Sequence, residues 1–154
     1  MVLPPKPKEK SNGLDIVSLC FKDEQDNNLE TLFTGEPAYL SVECNSYEHI
    51  KTANLGMLVT ALSGGEGLVL YMTSTSDNQE LEIPIGKSEI RMHMPYCSMI
   101  PGVYSARIYI RNGVYSYDIV ESFRFTVKAN KTISRCQFYQ PRQWQVVSQE
   151  NIGL

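Results

Sequence analysis

The sequence lacks the motifs with which common enzyme classes hold phosphate or activate a nucleophile. It contains no GxxxxGK(S/T) loop, because GGEG at 64–67 is not followed by a Lys-Ser/Thr pair, and it contains no GxSxG elbow. His49 and His93 are its only histidines, and His93 with Cys97 would supply only half of a zinc site. We therefore expect a binding domain rather than an enzyme, without a metal ion or other cofactor.

A strong charge bias and long apolar runs are also missing. The formal net charge of the 154 residues is −3, so the chain has no overall basic field of the kind that attracts nucleic acid. No apolar run reaches the ~18 residues typical of a membrane-spanning helix, and the N-terminal stretch MVLPPKPKEKSNG lacks the apolar centre of a secretory signal. We expect a cytoplasmic domain that binds no nucleic acid.

The cysteines form neither a CxxC pair nor the dense framework of a disulfide-rich domain. They are Cys20, Cys44, Cys97 and Cys136. An immunoglobulin-type bridge joins two cysteines that have a Trp between them in sequence, whereas Trp144, the only Trp, follows all four. This arrangement predicts reduced, packed cysteines.

Residues 1–13 are predicted to form a linker. Three prolines and three lysines alternate between positions 4 and 10, which favours an extended polar segment with nothing to bury. Because a domain that begins with a linker usually follows another domain, we expect this chain to be the C-terminal part of a longer protein.

Between residues 14 and 128 the chain consists of short segments in which apolar and polar residues alternate, separated by turn residues. This period-two alternation is typical of strands, and no segment sustains a helical period. In the first segment, LDIVSLCF, Val17, Leu19 and Phe21 should share the inward face. Many short strands at this spacing predict an all-β fold, an immunoglobulin-like antiparallel β-sandwich.

The segment RIYIRNGVYSYD at 107–118 predicts a β-hairpin, because Asn112-Gly113 is a typical centre of a type I′ turn. Ile108 and Ile110 should point into the core. On the outward side the predicted register pairs three residues with three partners: Arg107 with Asp118, Tyr109 with Ser116, and Arg111 with Val114.

Two interpretations of this outward side stay open. In the first, Arg107 and Asp118 form an ion pair on a solvated sheet, worth at most about 1 kcal/mol, and Arg111 is a charge that protects a strand edge. In the second, the side binds a sugar. Tyr109 would then offer a flat ring to the apolar C–H side of the sugar, and Arg107, held by Asp118, would donate to hydroxyl, carboxylate or phosphate oxygens.

The stretch MIPGVYSARIYIRNGVYSYDIVESFRFTV, at 99–127, resembles the closing part of the C-terminal domain of Wzt, the ATPase subunit of O-antigen ABC exporters. The resemblance consists of a Pro-Gly-x-Tyr strand entry, Tyr-Asp after a hairpin, and a final Phe-x-Val strand: Pro101, Gly102, Tyr104, Tyr117, Asp118, Phe125 and Val127. Similar stretches lie upstream, at Gly35 and Glu36 and at Gly67, Tyr71, Thr73 and Thr75. Met72 and Ser74 depart from the family pattern, in which we expect a small residue and an Asn.

This resemblance implies an immunoglobulin-like sandwich that binds finished, terminally modified O-polysaccharide at the cytoplasmic face of the inner membrane. The implied partners are the protein's own nucleotide-binding domain, the transporter's membrane subunit and a second copy of the chain. Glycan-binding residues are then expected on the hairpin and the neighbouring strand: Arg107, Tyr109, Arg111, Asp118, Ser116, Tyr71 and Thr73.

Other interpretations remain beside this one. Arg91 and His93 also face outward, on a strand of the other sheet, where solvated side chains are the simpler interpretation. An alternative function is a structural or protein-interaction sandwich without a glycan ligand, and a third is an extracellular domain with disulfides.

Residues 129–154 follow the last family motif yet carry large apolar side chains: Phe138, Tyr139, Trp144, Val146 and Val147. A disordered tail would seldom hold so many. They should cover either the chain's own edge strand or the same edge of a second copy. We predict the second arrangement, a dimer in which residues 136–147 form a strand on the partner, because Pro141 favours departure from the home sandwich.

Overall fold

The computed structural model describes residues 10–62 and 67–149 as two packed β-sheets. Most of the predicted linker, residues 1–9, and most of GGEG lie outside the described residues. No helix occurs within the described ranges, and the predicted all-β sandwich is confirmed. The strands are β1 Leu14–Lys22, β2 Asn28–Leu29, β3 Thr31–Phe33, β4 Ala38–Ser46, β5 Ile50–Ala61, β6 Leu68–Thr73, β7 Leu81–Ile83, β8 Gly86–Met94, β9 Gly102–Asn112 and β10 Tyr115–Lys128.

The smaller sheet has the strand order β2-β1-β4-β8, and the larger has the order β3-β10-β9-β5-β6, with β7 beside the start of β5. One pairing differs from the predicted antiparallel pattern, because β3 runs parallel to β10. After β2 the chain crosses from the smaller sheet to the edge of the larger one. There it forms β3, which runs in the same direction as β10. The strands β6 and β8 lie at the ends of their sheet orders.

Between the sheets lies one core cluster, to which nearly every strand contributes. Ile108 and Ile110 are fully buried there, as the alternation of β9 predicts. An aromatic group joins the two sheets: the Phe21 ring of β1 lies 5.5 Å from Phe123 and 5.1 Å from Phe125, both on β10. Such aromatic contacts bury large areas and contribute to the packing of one sheet against the other.

The inward face predicted for β1 is only partly correct. Leu19 and Phe21 are buried, but Val17 is 46% exposed. A bulge between Ile16 and Ser18 causes the difference, because the extra residue reverses the alternation and buries Ile16 instead.

The hairpin turn lies one residue beyond its predicted centre. Asn112 pairs with Tyr115, so Gly113 and Val114 occupy the two central positions. Gly113 has a φ of +59° and Val114 has no positive φ, which fits a type II′ turn rather than type I′. A bulge after Ser116 adds a second shift, and the predicted register is therefore wrong along the whole hairpin.

All four cysteines are free. Cys20, Cys44 and Cys97 are buried, whereas Cys136 is exposed, which corrects the expectation that all four are packed. Burial raises the pKa of the Cys44 thiol to about 11, and it also raises the pKa of Cys97. Both thiols therefore stay protonated and unreactive at neutral pH.

The described part of the tail, residues 129–149, contains no strand. Tyr139 is buried, and its backbone N–H donates to the carbonyl of Ser98 at 2.6 Å. Beyond it the chain leaves the sandwich: Trp144 is 88% exposed and Val146 is 99% exposed. Within the described residues the chain thus leaves these two side chains uncovered.

Candidate functional site

Strand register brings six of the predicted site residues onto the outer side of the larger sheet. Paired residues of neighbouring strands point to the same side of a sheet. Gly56 of β5 pairs with Thr73 and Tyr109, and Leu58 pairs with Tyr71 and Arg107. Arg111 pairs with Ser116 on its other side. We name this surface the Arg–Tyr face and define it by Tyr71, Thr73, Arg107, Tyr109, Arg111 and Ser116.

Tyr109 lies on the Arg–Tyr face but is only 2% exposed. Its ring covers the backbone of Gly56, and the Arg111 guanidinium stacks above it, with Cζ 3.8 Å from the ring centroid. The predicted role of Tyr109 as an open platform for a sugar is therefore wrong, because both sides of its ring are occupied. Its position makes it a support for Arg111.

Tyr71 provides the accessible aromatic ring of the face, with 53% of its surface exposed. Its hydroxyl lies 2.7 Å from the hydroxyl of Tyr109, and the two form a hydrogen bond. Burial, followed by this hydrogen bond, raises the pKa of the Tyr109 phenol to about 12. The Tyr109 phenol is consequently neutral at physiological pH, and its hydrogen bond fixes the outer end of the Tyr71 side chain.

Asp118 does not belong to this face. It is 5% exposed and pairs with the core residue Ile110, and its carboxylate accepts hydrogen bonds from the N–H groups of Ile16 at 2.7 Å and Ile119 at 2.8 Å. The predicted ion pair with Arg107 is wrong, because the bulge after Ser116 turns Asp118 inward. Arg107 instead pairs with Glu121 at 3.3 Å, on the solvent side.

Arg91 and His93 lie on the outer side of the smaller sheet, as predicted. The Glu89 carboxylate there accepts from Ser41 Oγ at 2.5 Å, Arg91 Nε at 2.9 Å and Lys22 Nζ at 3.2 Å. The hydrogen bond from Ser41, followed by those from the two cations, lowers the pKa of Glu89 to about 2. The charged side chains around Glu89 are thus largely paired with one another.

A cleft of about 240 Å³ opens between the edge strands β6 and β8. It brings together Thr73 from the larger sheet and Arg91 and His93 from the smaller one, two regions that the sequence placed on opposite sides. Its walls also include Asp77 and Gln79 of the loop after β6, which the sequence analysis did not single out. Hydrogen bonds with Ser76 already engage the Thr73 hydroxyl, which belongs to both the cleft and the Arg–Tyr face.

Within residues 10–62 and 67–149, no three His, Cys, Asp or Glu side chains come together as metal ligands would. The same ranges contain no helix long and apolar enough to cross a bilayer.

A sequence model of one protein family matches most of the chain. This model, described as the Wzt C-terminal domain, matches residues 6–138. A crystal structure of the C-terminal domain of wzt is similar with a TM-score of 0.68 and 12% identity, covering 95% of this chain and 93% of that chain. At this identity the structural likeness by itself shows the shared fold.

Two crystal structures of a beta-glucosidase from Listeria innocua, in complex with gluconolactone and with glucose, are also similar. Each match has a TM-score of 0.42 and 14% identity. It covers 77% of this chain and 16% of the beta-glucosidase chain. This likeness is too low to carry an argument. No curated protein matches the sequence.

Proposed function

Since this chain belongs to the Wzt C-terminal domain family, we propose that it is a non-catalytic domain that binds O-antigen polysaccharide for export by an ABC transporter. The binding site is the Arg–Tyr face. The observation that carries this assignment is the exposed Tyr71 ring, held by Tyr109 beside an Arg111 guanidinium that is itself stacked in place.

The chemistry of these groups suits a sugar. A pyranose ring has an apolar C–H side, which packs against an exposed aromatic ring such as that of Tyr71. Its hydroxyls need donors of fixed direction, and the guanidinium groups of Arg107 and Arg111 supply planar forks of N–H groups. Ser116 adds a hydroxyl at one end of the face, and Thr73, whose hydroxyl bonds with Ser76, lies at the other end.

Alanine variants of the exposed residues test the site. Tyr71→Ala and Arg107→Ala should each weaken binding of the O-polysaccharide of the source strain by about 1–3 kcal/mol in calorimetry, with the fold unchanged. His93→Ala is the matched control, because His93 is an exposed ring on the other sheet, and it should bind as the wild type does. The O-polysaccharide of another serotype should not bind.

The opposite pattern has a clear meaning. If His93→Ala weakens binding while Tyr71→Ala and Arg107→Ala do not, the site lies on the smaller sheet or in the cleft. If no polysaccharide binds at all, the protein-interaction sandwich becomes the better account of this surface.

In the parent transporter, we propose that this domain works at the cytoplasmic side of the inner membrane, beside its own nucleotide-binding domain and the membrane subunit. The ATP chemistry would belong to the nucleotide-binding domain. The purified chain should therefore hydrolyse no ATP, and measurable hydrolysis would contradict the assignment.

The same proposal includes a homodimer with exchanged tails. Tyr139 anchors the tail to its own sandwich, whereas Trp144 and Val146 lie beyond it without cover within the described residues. On a second copy these side chains would cover an edge strand such as β8. In light scattering the intact chain should have the mass of two copies, and a chain ending at Pro141, which keeps the anchor, should be monomeric. A monomeric intact chain at high concentration would contradict the exchange.

A further inference from the structure

Gly56 lies in the middle of β5, between β6 on one side and β9 on the other. Its backbone is ordinary, with no positive φ that would favour glycine. A glycine within a strand costs roughly 0.5–1 kcal/mol relative to alanine. A reason for glycine at this position must therefore come from its surroundings.

Those surroundings are the ring of Tyr109. A Cβ atom on Gly56 would lie 2.0 Å from Cζ, 2.3 Å from Cε2 and 2.4 Å from the hydroxyl oxygen of Tyr109. Contacts this short do not occur, so any side chain at position 56 would push the ring away from β5. The ring carries two further groups, since Arg111 stacks on it and Tyr71 bonds to its hydroxyl.

We infer that Gly56 is the positioning residue of the Arg–Tyr face: its missing side chain lets Tyr109 lie flat, and Tyr109 then holds Arg111 and Tyr71 in their ligand-facing positions. This role rests on the proposed glycan binding at that face. Gly56 itself needs no contact with the ligand, because it acts through the ring above it.

Gly56→Ala tests the inference directly. Its affinity for the O-polysaccharide should fall by about tenfold or more, equivalent to about 1.4 kcal/mol. Gly102→Ala is the matched control, because Gly102 lies in the same sheet with an ordinary backbone, and a Cβ there would come no closer than 3.6 Å to the Tyr104 ring. It should bind within about twofold of the wild type.

A second measurement follows the ring without any ligand. In NMR spectra of protein with ¹³C-labelled tyrosine rings, assigned with Tyr109→Phe, the wild-type Tyr109 phenol should stay protonated well above pH 10, since its pKa is about 12. In Gly56→Ala the displaced ring is more exposed and should ionise at lower pH. An unchanged titration would overturn the inference, because it would mean that the ring had not moved.

A double variant shows whether Gly56 acts only through Tyr109. Once Tyr109 is alanine, no ring remains above position 56, so Gly56→Ala should cause no further loss of affinity in that background. An equal loss in both backgrounds would overturn the inference. If Gly56→Ala alone does not fold, the double variant must fold, and its failure to fold would also overturn the inference.

The inference and the proposed function fail in different ways. If Tyr71→Ala and Arg107→Ala bind as the wild type does, the proposed site is wrong, and the role of Gly56 in binding is overturned with it. If they weaken binding while Gly56→Ala does not, the site stands and only the role of Gly56 is overturned.

Discussion

Replacement of Asp118 by alanine should destabilise the domain without removing a ligand contact. Its buried carboxylate accepts the N–H of Ile16 on β1 at 2.7 Å and thereby links the two sheets. The partner strand β2 pairs only with Phe21 and Lys22, so it does not supply an acceptor for Ile16 on that side of β1. A buried N–H without a partner costs about 1–3 kcal/mol.

The N–H of Ile119 also loses its acceptor in this variant, but Ile119 is half-buried, so water can replace the carboxylate there. We therefore expect Asp118→Ala to lose about 2–3 kcal/mol of unfolding free energy in urea titrations. For a chain of this size that loss corresponds to a decrease in Tm of roughly 4–12 °C. Asp118→Asn keeps one carbonyl acceptor and should lose less.

Glu121→Ala is the control for Asp118→Ala. It removes a carboxylate from the same strand, and the Glu121 side chain is 73% exposed. Its unfolding free energy should change by no more than about 0.5 kcal/mol. Polysaccharide affinity, measured at a temperature where Asp118→Ala is folded, should equal that of the wild type. A variant of wild-type stability that has lost binding would refute this reasoning and return Asp118 to the site.

Two further predictions follow from the titratable groups. The lowered pKa of Glu89 adds stability above pH 4.5, the pKa of this group in the unfolded chain, and this stability is lost as the pH falls towards 2. Urea midpoints of Glu89→Gln between pH 2 and 7 should therefore change less with pH than those of the wild type. Parallel curves for the two proteins would contradict this. Thiol titration of the folded chain should modify Cys136 rapidly and the three buried thiols only after unfolding; fewer than four thiols in unfolded, unreduced protein would indicate a disulfide and favour the extracellular alternative.

Alternation along the strands was sufficient to predict the sandwich and the faces of β9. Ile108 and Ile110 are buried and Arg107 points outward, because a period of two leaves no other arrangement once the strand is known. The register of the hairpin could not be predicted in the same way. Its turn is shifted by one residue, and a bulge follows Ser116. The alternation of apolar and polar residues signals neither of these shifts.

The burial of Tyr109 could not be predicted from the sequence either. Alternation correctly placed it on the outer side of β9, but exposure depends on what lies above and below the ring. The residue below is Gly56, more than 50 positions earlier in the chain, and only the pairing of β5 with β9 reveals it. The signal present in the sequence was a lone glycine within the strand NLGMLVTAL, a pattern that often marks a close approach of another group.

The two outer surfaces of the sandwich differ in how their arginine side chains are held. On the smaller sheet, Glu89 holds Lys22 and Arg91, and Arg91 also pairs with Asp26, so a ligand there would have to compete with existing ion pairs. On the Arg–Tyr face, Arg111 is held by stacking on a neutral ring, which restrains the side chain while leaving its N–H groups free of any carboxylate among the described residues. Ordering a long side chain on binding costs about 0.5–1.5 kcal/mol, and a guanidinium already fixed in this way avoids most of that loss. This difference is the physical reason for proposing that Arg111, on the larger sheet, contacts the glycan.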